Sequence, residues 1–225
     1  GATAVGDYQD QGILPLAMRN FLALLGWSPG GDREIMPEAE MIQLFSLEGI
    51  QKKAAVFDVT KLEWMNGQYL SIVPVEDLVA PVRRHLDQLG MQIGNRDLRP
   101  FINAVKARSR TLLDIAAQIA VRLDRTRVVR EAKGEQLAKK MGPEFALNLR
   151  SASSALSALS ADAWTAPNLE AALKDLAERD AKKLGDVMQP IRVALTGGTV
   201  SEPVNELLAV VGRAESLARI EAAAS

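Results

Sequence analysis

The apolar residues of this chain recur at three- and four-residue intervals, and nowhere does apolar and polar alternation run longer than a few residues. A chain patterned this way has to bury helix faces, and it is expected to be mainly α. The clearest instance is Lys183 to Gly212, KLGDVMQPIRVALTGGTVSEPVNELLAVVG. Val187, Met188, Ile191, Val193, Ala194 and Leu195 ask for burial on one helix, which Asp186 is placed to cap and in which Arg192 is the one cation. Thr196, Gly197, Gly198 and Thr199 then make a turn of small residues. Ser201 and Pro203 open a second helix carrying Leu207, Leu208, Val210 and Val211, closed by Gly212. A turn held between two apolar helices is rigid enough to recognise something. It offers Arg192, the hydroxyls of Thr196, Thr199 and Ser201, and backbone amides left uncovered by the glycines. It holds no base, no partnered nucleophile and no metal ligand set, so it suits recognition better than bond chemistry.

Composition narrows the classes further. At 225 residues with 48% hydrophobic side chains, the chain is long enough for a real core and one to two domains. Five Phe, two Tyr and three Trp amid abundant Ala, Leu and Val favour helix over sheet. The absence of Cys excludes disulfides, thiol catalysis and thiolate metal sites, and a single His argues against zinc or His-based catalysis. No apolar run approaches the roughly 20 residues that span a bilayer and no signal peptide opens the chain, so a cytoplasmic protein is expected. The opening GATAVGDYQDQG has no Met, and the chain is expected to be a fragment of a longer protein.

The formal net charge of −1 conceals a division. From Arg99 to Arg150 there are 12 Lys and Arg against five Asp and Glu, a balance of +7, and the remainder carries −8. Either the middle helices have solvated basic faces or they present a surface to a polyanion.

Taken in order, the first helix opens at Leu14-Pro15 and ends at Gly26, and Trp27 to Asp32 form a turn. A second helix starts at Pro37 with Met41, Leu44 and Phe45 facing inward, a further helical turn follows Ser46, and Lys52 to Val56 are an extended connector. Asp58 caps a helix in which Leu62, Met65 and Tyr69 share a face, while Trp64 and Gly67 pack on a neighbour as core. That helix ends near Ile72, where a boundary is placed. Helices then run over Glu76–Leu89, Leu98–Lys106, Thr111–Leu123, Gln136–Met141 and Pro143–Ser160. His85, among Arg83, Arg84 and Asp87, reads as a surface residue. The Ser- and Ala-rich tract Ser151 to Ala163 reads as a helix end and joint, after which Trp164 anchors a last unit with Leu169, Leu173 and Leu176.

No P-loop, GxGxxG, GxSxG or HExxH occurs, and pairs such as Glu38 and Glu40 or Glu76 and Asp77 read as helix N-terminal charges. The opening GATAVGDYQDQGILPLAMRNFLALLGWSPGGDREI, the continuation AVFDVTKLEWMNGQYL and the later QPIRVALTG, three motifs in order, together resemble the bacterial glutamyl-tRNA synthetases after their KMSKS-type loop. The resemblance implies a multihelical stem-contact region at 1–73 and an all-α anticodon-binding domain, an α-helix cage of two subdomains at 74–160 and 161–225. The HIGH-type and KMSKS-type motifs of the family are absent from the chain. By the resemblance this polypeptide has no catalytic residue, metal or cofactor of its own, whereas the parent ligase uses ATP and Mg2+ to join glutamate to tRNA.

Carried onto this sequence residue by residue, the resemblance places Arg108 at the third anticodon base, with Arg110 as the alternative. It places Arg192 at the anticodon loop, Ser201 and Val204 at the first anticodon base, and Lys174 at a further basic contact. Arg125, Arg127 and Arg130 are candidate backbone contacts. The implied partner is tRNA(Glu), with tRNA(Gln) as the second RNA to test, bound by a monomer. The rival reading is a catalytically inert helical module whose leucine-rich faces bind protein partners.

Overall fold

The computed structural model describes residues 4–51 and 55–225, so Lys52 to Ala54 of the expected connector lie outside the described residues. The chain divides into two compact units, Gly1–Ala117 and Gln118–Ser225. The division falls within a helix, whereas the boundaries expected at 73/74 and 160/161 fall between helices. The fold is mainly α. Among the described residues the sole β pairing is an isolated antiparallel bridge between Trp27 and Ile50.

In the first unit a short helix α1 (Val5–Asp10) precedes α2 (Pro15–Gly26), which starts on a proline whose missing N–H costs nothing in a first turn. After α3 (Glu38–Leu44) comes α4 (Val59–Ile72), capped by the Asp58 carboxylate accepting from the Lys61 amide at 3.1 Å. The helix α5 (Val75–Gln88) ends before Gly90 at φ 75°, and α6 (Arg99–Val105) runs into a 3-10 turn at Lys106–Arg108. Phe21 of α2 and Leu62, Met65 and Leu70 of α4 are buried in its core. Glu38 and Glu40 in α3, and Glu76 and Asp77 in α5, occupy first turns, where negative charge meets the positive end of the helix dipole.

Four expectations fail here. The α3 helix has no buried residue, Phe45 is 57% exposed, and the residues after Ser46 form a turn instead of a helix. Trp64 is 38% exposed, so the helix face it occupies is not core. His85 is buried, with Nδ1 2.9 Å from the Gln88 Oε1. Its spacing from Leu78 and Val82 puts it on the inward stripe of α5 despite its charged neighbours.

Helix α7 (Leu112–Leu123) carries residues of both units. The second unit continues with α8 (Ala132–Met141), α9 (Pro143–Ser157), α10 (Ala166–Arg179), α11 (Leu184–Thr196), α12 (Val204–Val211) and α13 (Arg213–Ala224). Its core joins Phe145, Leu149, Ala152 and Leu156 of α9 to Leu169, Leu173 and Leu176 of α10, Ile191 and Leu195 of α11, Leu207 and Leu208 of α12, and Ile220 of α13. The tract from Ser151 therefore stays helical through Ser157 with Leu156 inward. Trp164 anchors the next segment by donating its indole N–H to the Leu208 carbonyl at 2.9 Å. Lys183, not Asp186, is the N-cap of α11, and Asp186 lies in its first turn.

Candidate functional site

The Gly197-Gly198 turn between α11 and α12 is buried against the chain at 129–131. Gly197 sits at φ 82°, where a side chain would meet the Val129 carbonyl, and its own carbonyl accepts from the Glu131 amide at 3.0 Å. A Cβ on Gly198 would come within 2.9 Å of the Glu131 carboxylate. The glycines are thus needed for close approach of two backbone segments. Their amides are spent internally: Gly197 N–H donates to the Val193 carbonyl at 2.8 Å, and Gly198 N–H to Thr196 Oγ1 at 3.3 Å. The uncovered amides expected from the sequence are not offered to a ligand.

Arg192 and Ser201 are brought together. The half-buried Arg192 donates from Nε to Ser201 Oγ at 2.8 Å, and Ser201 in turn donates to the Glu202 carbonyl at 2.7 Å. The Thr196 hydroxyl donates to the Arg192 carbonyl at 2.8 Å, tying the end of α11 to the same knot. Both side chains therefore leave a packed helix and a fixed turn already oriented, and little rotamer freedom remains to be lost on binding.

Val204 is corrected: its side chain is 1% exposed and belongs to the core beneath the turn, so it packs and cannot offer a surface contact. Lys174 lies exposed on α10 and pairs with Glu170 one helical turn away at 2.6 Å, a link that is weak in water. Arg125 donates to Glu215 Oε2 at 2.6 Å, Arg127 pairs with Asp124 at 3.4 Å, and Arg130 pairs with Glu135 at 3.6 Å with its guanidinium 5.5 Å from the Phe145 ring centre. Arg125 and Arg130 rim a cleft of about 320 Å³ floored by Val193, Ala194 and Gly197. Each of its cations already has an acidic partner.

Arg108 and Arg110 belong to the first unit, both exposed, and line one shallow cleft of about 280 Å³ with Trp64, Gln68 and Ser71. Arg108 donates to the Ala104 carbonyl at 2.9 Å. The Arg110 backbone is held from two sides, its carbonyl by Asn66 Nδ2 at 2.6 Å and its amide by the Asp114 carboxylate at 3.0 Å. Gly67 allows this approach, since a Cβ there would stand 3.1 Å from the Ser109 carbonyl. Asn66 also accepts from the Leu14 amide at 2.8 Å and donates to the Gly12 carbonyl at 3.1 Å. A buried asparagine thus fixes the loop that presents both arginines.

Sequence reasoning missed the polar network behind the Ser201 turn. Arg122 and Glu202 are both almost wholly buried and form a two-pronged ion pair, Nε donating to Oε1 at 2.8 Å and Nη2 to Oε2. Arg219, also buried, donates to the carbonyls of Val121 and Leu195 at 2.8 Å, to that of Arg122 at 3.1 Å, and to Glu215 Oε1 at 2.7 Å. It closes the C-terminal ends of α7 and α11, whose last carbonyls have no helical partner. Burial raises the Glu215 carboxyl, but hydrogen bonds from Arg219 and Arg125 outweigh it and the group ends below its usual value. One signal was available in the sequence: Arg122 lies on the inward stripe of α7 with Ile115 and Ile119.

Among the described residues no group of three or more His, Asp or Glu side chains could hold a metal ion, and no helix is long and apolar enough to cross a membrane.

A family model described as the anticodon binding domain matches residues 75–224, and one described as the catalytic domain of class I tRNA synthetases for E and Q matches residues 2–64. Glutamate–tRNA ligase 1 of Methylorubrum extorquens is 39% identical over 98% of this chain, and the glutamate–tRNA ligase of Syntrophotalea carbinolica is 37% identical over 100%. In each case the match takes up 47% of the relative, so the chain spans about half the length of the curated relatives it matches. The crystal structure of a glutamate–tRNA ligase from Elizabethkingia meningosepticum, in complex with its amino acid, superposes with a TM-score of 0.81 at 29% identity, covering 96% of this chain and 42% of that one. The synthetase from Elizabethkingia anophelis gives 0.80 at 28% identity, covering 96% of this chain and 41% of that one.

Proposed function

The chain belongs to the anticodon-binding domain family, in the form carried by bacterial glutamate–tRNA ligases, and on that premise we propose that it binds tRNA(Glu) through its anticodon loop on behalf of ATP-dependent glutamylation. The observation that carries the proposal is the Arg192–Ser201 pair at a rigid turn inside the matched region. A loop base in single-stranded RNA exposes its pairing edge, so a guanidinium held in fixed register by a hydroxyl can read it. An RNA group left facing an unmatched donor costs roughly 1–3 kcal/mol, enough for useful discrimination. Arg108, with Arg110 as the alternative, reads the third anticodon base, and the net +7 of Arg99 to Arg150 supplies cations for the phosphates. The setting is the cytoplasm and the binding form a monomer.

A second reading, a protein-interaction module, draws on exposed apolar side chains of the first unit, where Ile42 and Leu47 are 71% and 74% exposed. A gel-shift comparison of tRNA(Glu) and tRNA(Gln) at low and high salt separates the two. RNA recognition predicts a preference for one RNA and release at high salt, whereas an apolar module predicts no retained RNA at either.

A further inference from the structure

Resting on the reading of Arg192 and Ser201 as RNA contacts, we infer that the buried Arg122–Glu202 ion pair is a positioning pair that sets the orientation of Arg192 and through it the base selectivity of the site. The path is continuous. The Glu202 carboxylate is clamped by Arg122, whose Nη1 also donates to the Gln118 carbonyl at 2.8 Å, so neither partner can rotate without stranding a buried charge. The Glu202 backbone is thereby fixed, and its carbonyl receives the Ser201 hydroxyl at 2.7 Å. Having given its one hydrogen there, Ser201 Oγ can meet Arg192 only as an acceptor, and it takes the Arg192 Nε–H at 2.8 Å. With Nε committed to Ser201, the plane of the guanidinium is set before any RNA arrives.

A buried ion pair is a poor source of stability, because apolar residues of similar size commonly hold a fold as well. Its place one residue from Ser201, which holds the Arg192 guanidinium, is what a device for orientation requires. Arg219 fixes the other side of the assembly, bonding the carbonyls of Arg122 and Leu195, so the ends of α7 and α11 cannot drift apart and slacken the path.

The test replaces the pair by the apolar combination Arg122→Met with Glu202→Leu, alongside Ser201→Ala, which keeps the pair and removes only the hydroxyl. Two quantities are read: the side-chain Nε–Hε resonance of Arg192 in 15N spectra without RNA, and the ratio of affinities for tRNA(Glu) and for tRNA(Glu) altered at the first anticodon base. Both variants are expected to move the resonance in the same direction and to reduce the ratio by roughly tenfold, the equivalent of one misdirected charge-assisted hydrogen bond, while melting remains cooperative. An unmoved resonance in either variant overturns the positioning role. A resonance that moves while the ratio stays at the parent value overturns the link to selectivity, and places the failure in the reading of Arg192 as an RNA contact.

Discussion

The Arg192 guanidinium is hydrogen-bonded through Nε to Ser201 Oγ at 2.8 Å, across nine residues of chain. An arginine held through Nε has less rotamer freedom to lose than a mobile surface cation, as the proposed RNA contact requires. Arg192→Ala should weaken tRNA binding by roughly 1–3 kcal/mol. Melting should change little, since the neighbouring Ile191 and Leu195 carry the burial of α11. Equilibrium binding and thermal unfolding on the same variant decide the matter: a mutant that melts several degrees lower yet binds like the parent would make Arg192 scaffolding.

Arg108 and Arg110 line one cleft, so their roles separate by selectivity and not by affinity. Arg108→Gln should reduce the preference for tRNA(Glu) over tRNA(Gln) more than it reduces binding of either, because a base contact carries sequence information and a phosphate contact does not. Affinities measured at one salt concentration check this. Equal losses for both RNAs would assign Arg108 to the backbone and leave Arg110 as the reader.

Gly197 should tolerate no side chain. Its φ of 82° alone costs a non-glycine residue about 1–3 kcal/mol, and the Val129 carbonyl occupies the space a Cβ would need. Gly197→Ala should therefore lower the unfolding free energy by at least that amount, measured by denaturant titration. Gly6, whose Cβ would meet nothing within 4 Å, is the control at which Ala should do no comparable harm.

Glu215 makes acid stability testable. Its carboxyl lies below the usual value when folded, because the Arg219 and Arg125 hydrogen bonds outweigh burial. A depressed folded pKa means that its contribution is complete above the ordinary glutamate value of 4.5 and is lost as pH falls through the lower folded one. Thermal melts of the parent should accordingly fall below about pH 4.5 with a part that Glu215→Gln removes. Identical pH profiles would show that the carboxylate does not couple protonation to folding.

The helical class and many element ends were legible because local chemistry sets them: Asp58 caps, Pro15 starts, and Gly90, Gly197 and Gly212 close helices as their side chains or conformations require. The rigid turn that joins Arg192 to Ser201 was legible too, from the small residues at 196–199 between two apolar helices. What could not be read was which charged side chain turns inward. Arg122 finds Glu202 80 residues away and Arg219 finds the carbonyls of Val121 and Arg122 more than 90 residues away, and no local pattern encodes such partners. Trp64 and His85 exchanged places relative to expectation for the same reason, since exposure depends on what tertiary neighbour covers a helix face.

The central claim, recognition of the anticodon loop, is tested most directly by competition. Labelled tRNA(Glu) bound to the chain at low salt is challenged with its isolated anticodon stem-loop, or with a minihelix of the acceptor end that lacks that loop. The stem-loop should displace the tRNA at far lower concentration than the minihelix, and Arg192→Ala should diminish that advantage. Displacement by the minihelix at equal or lower concentration, with the stem-loop inert, would contradict the account.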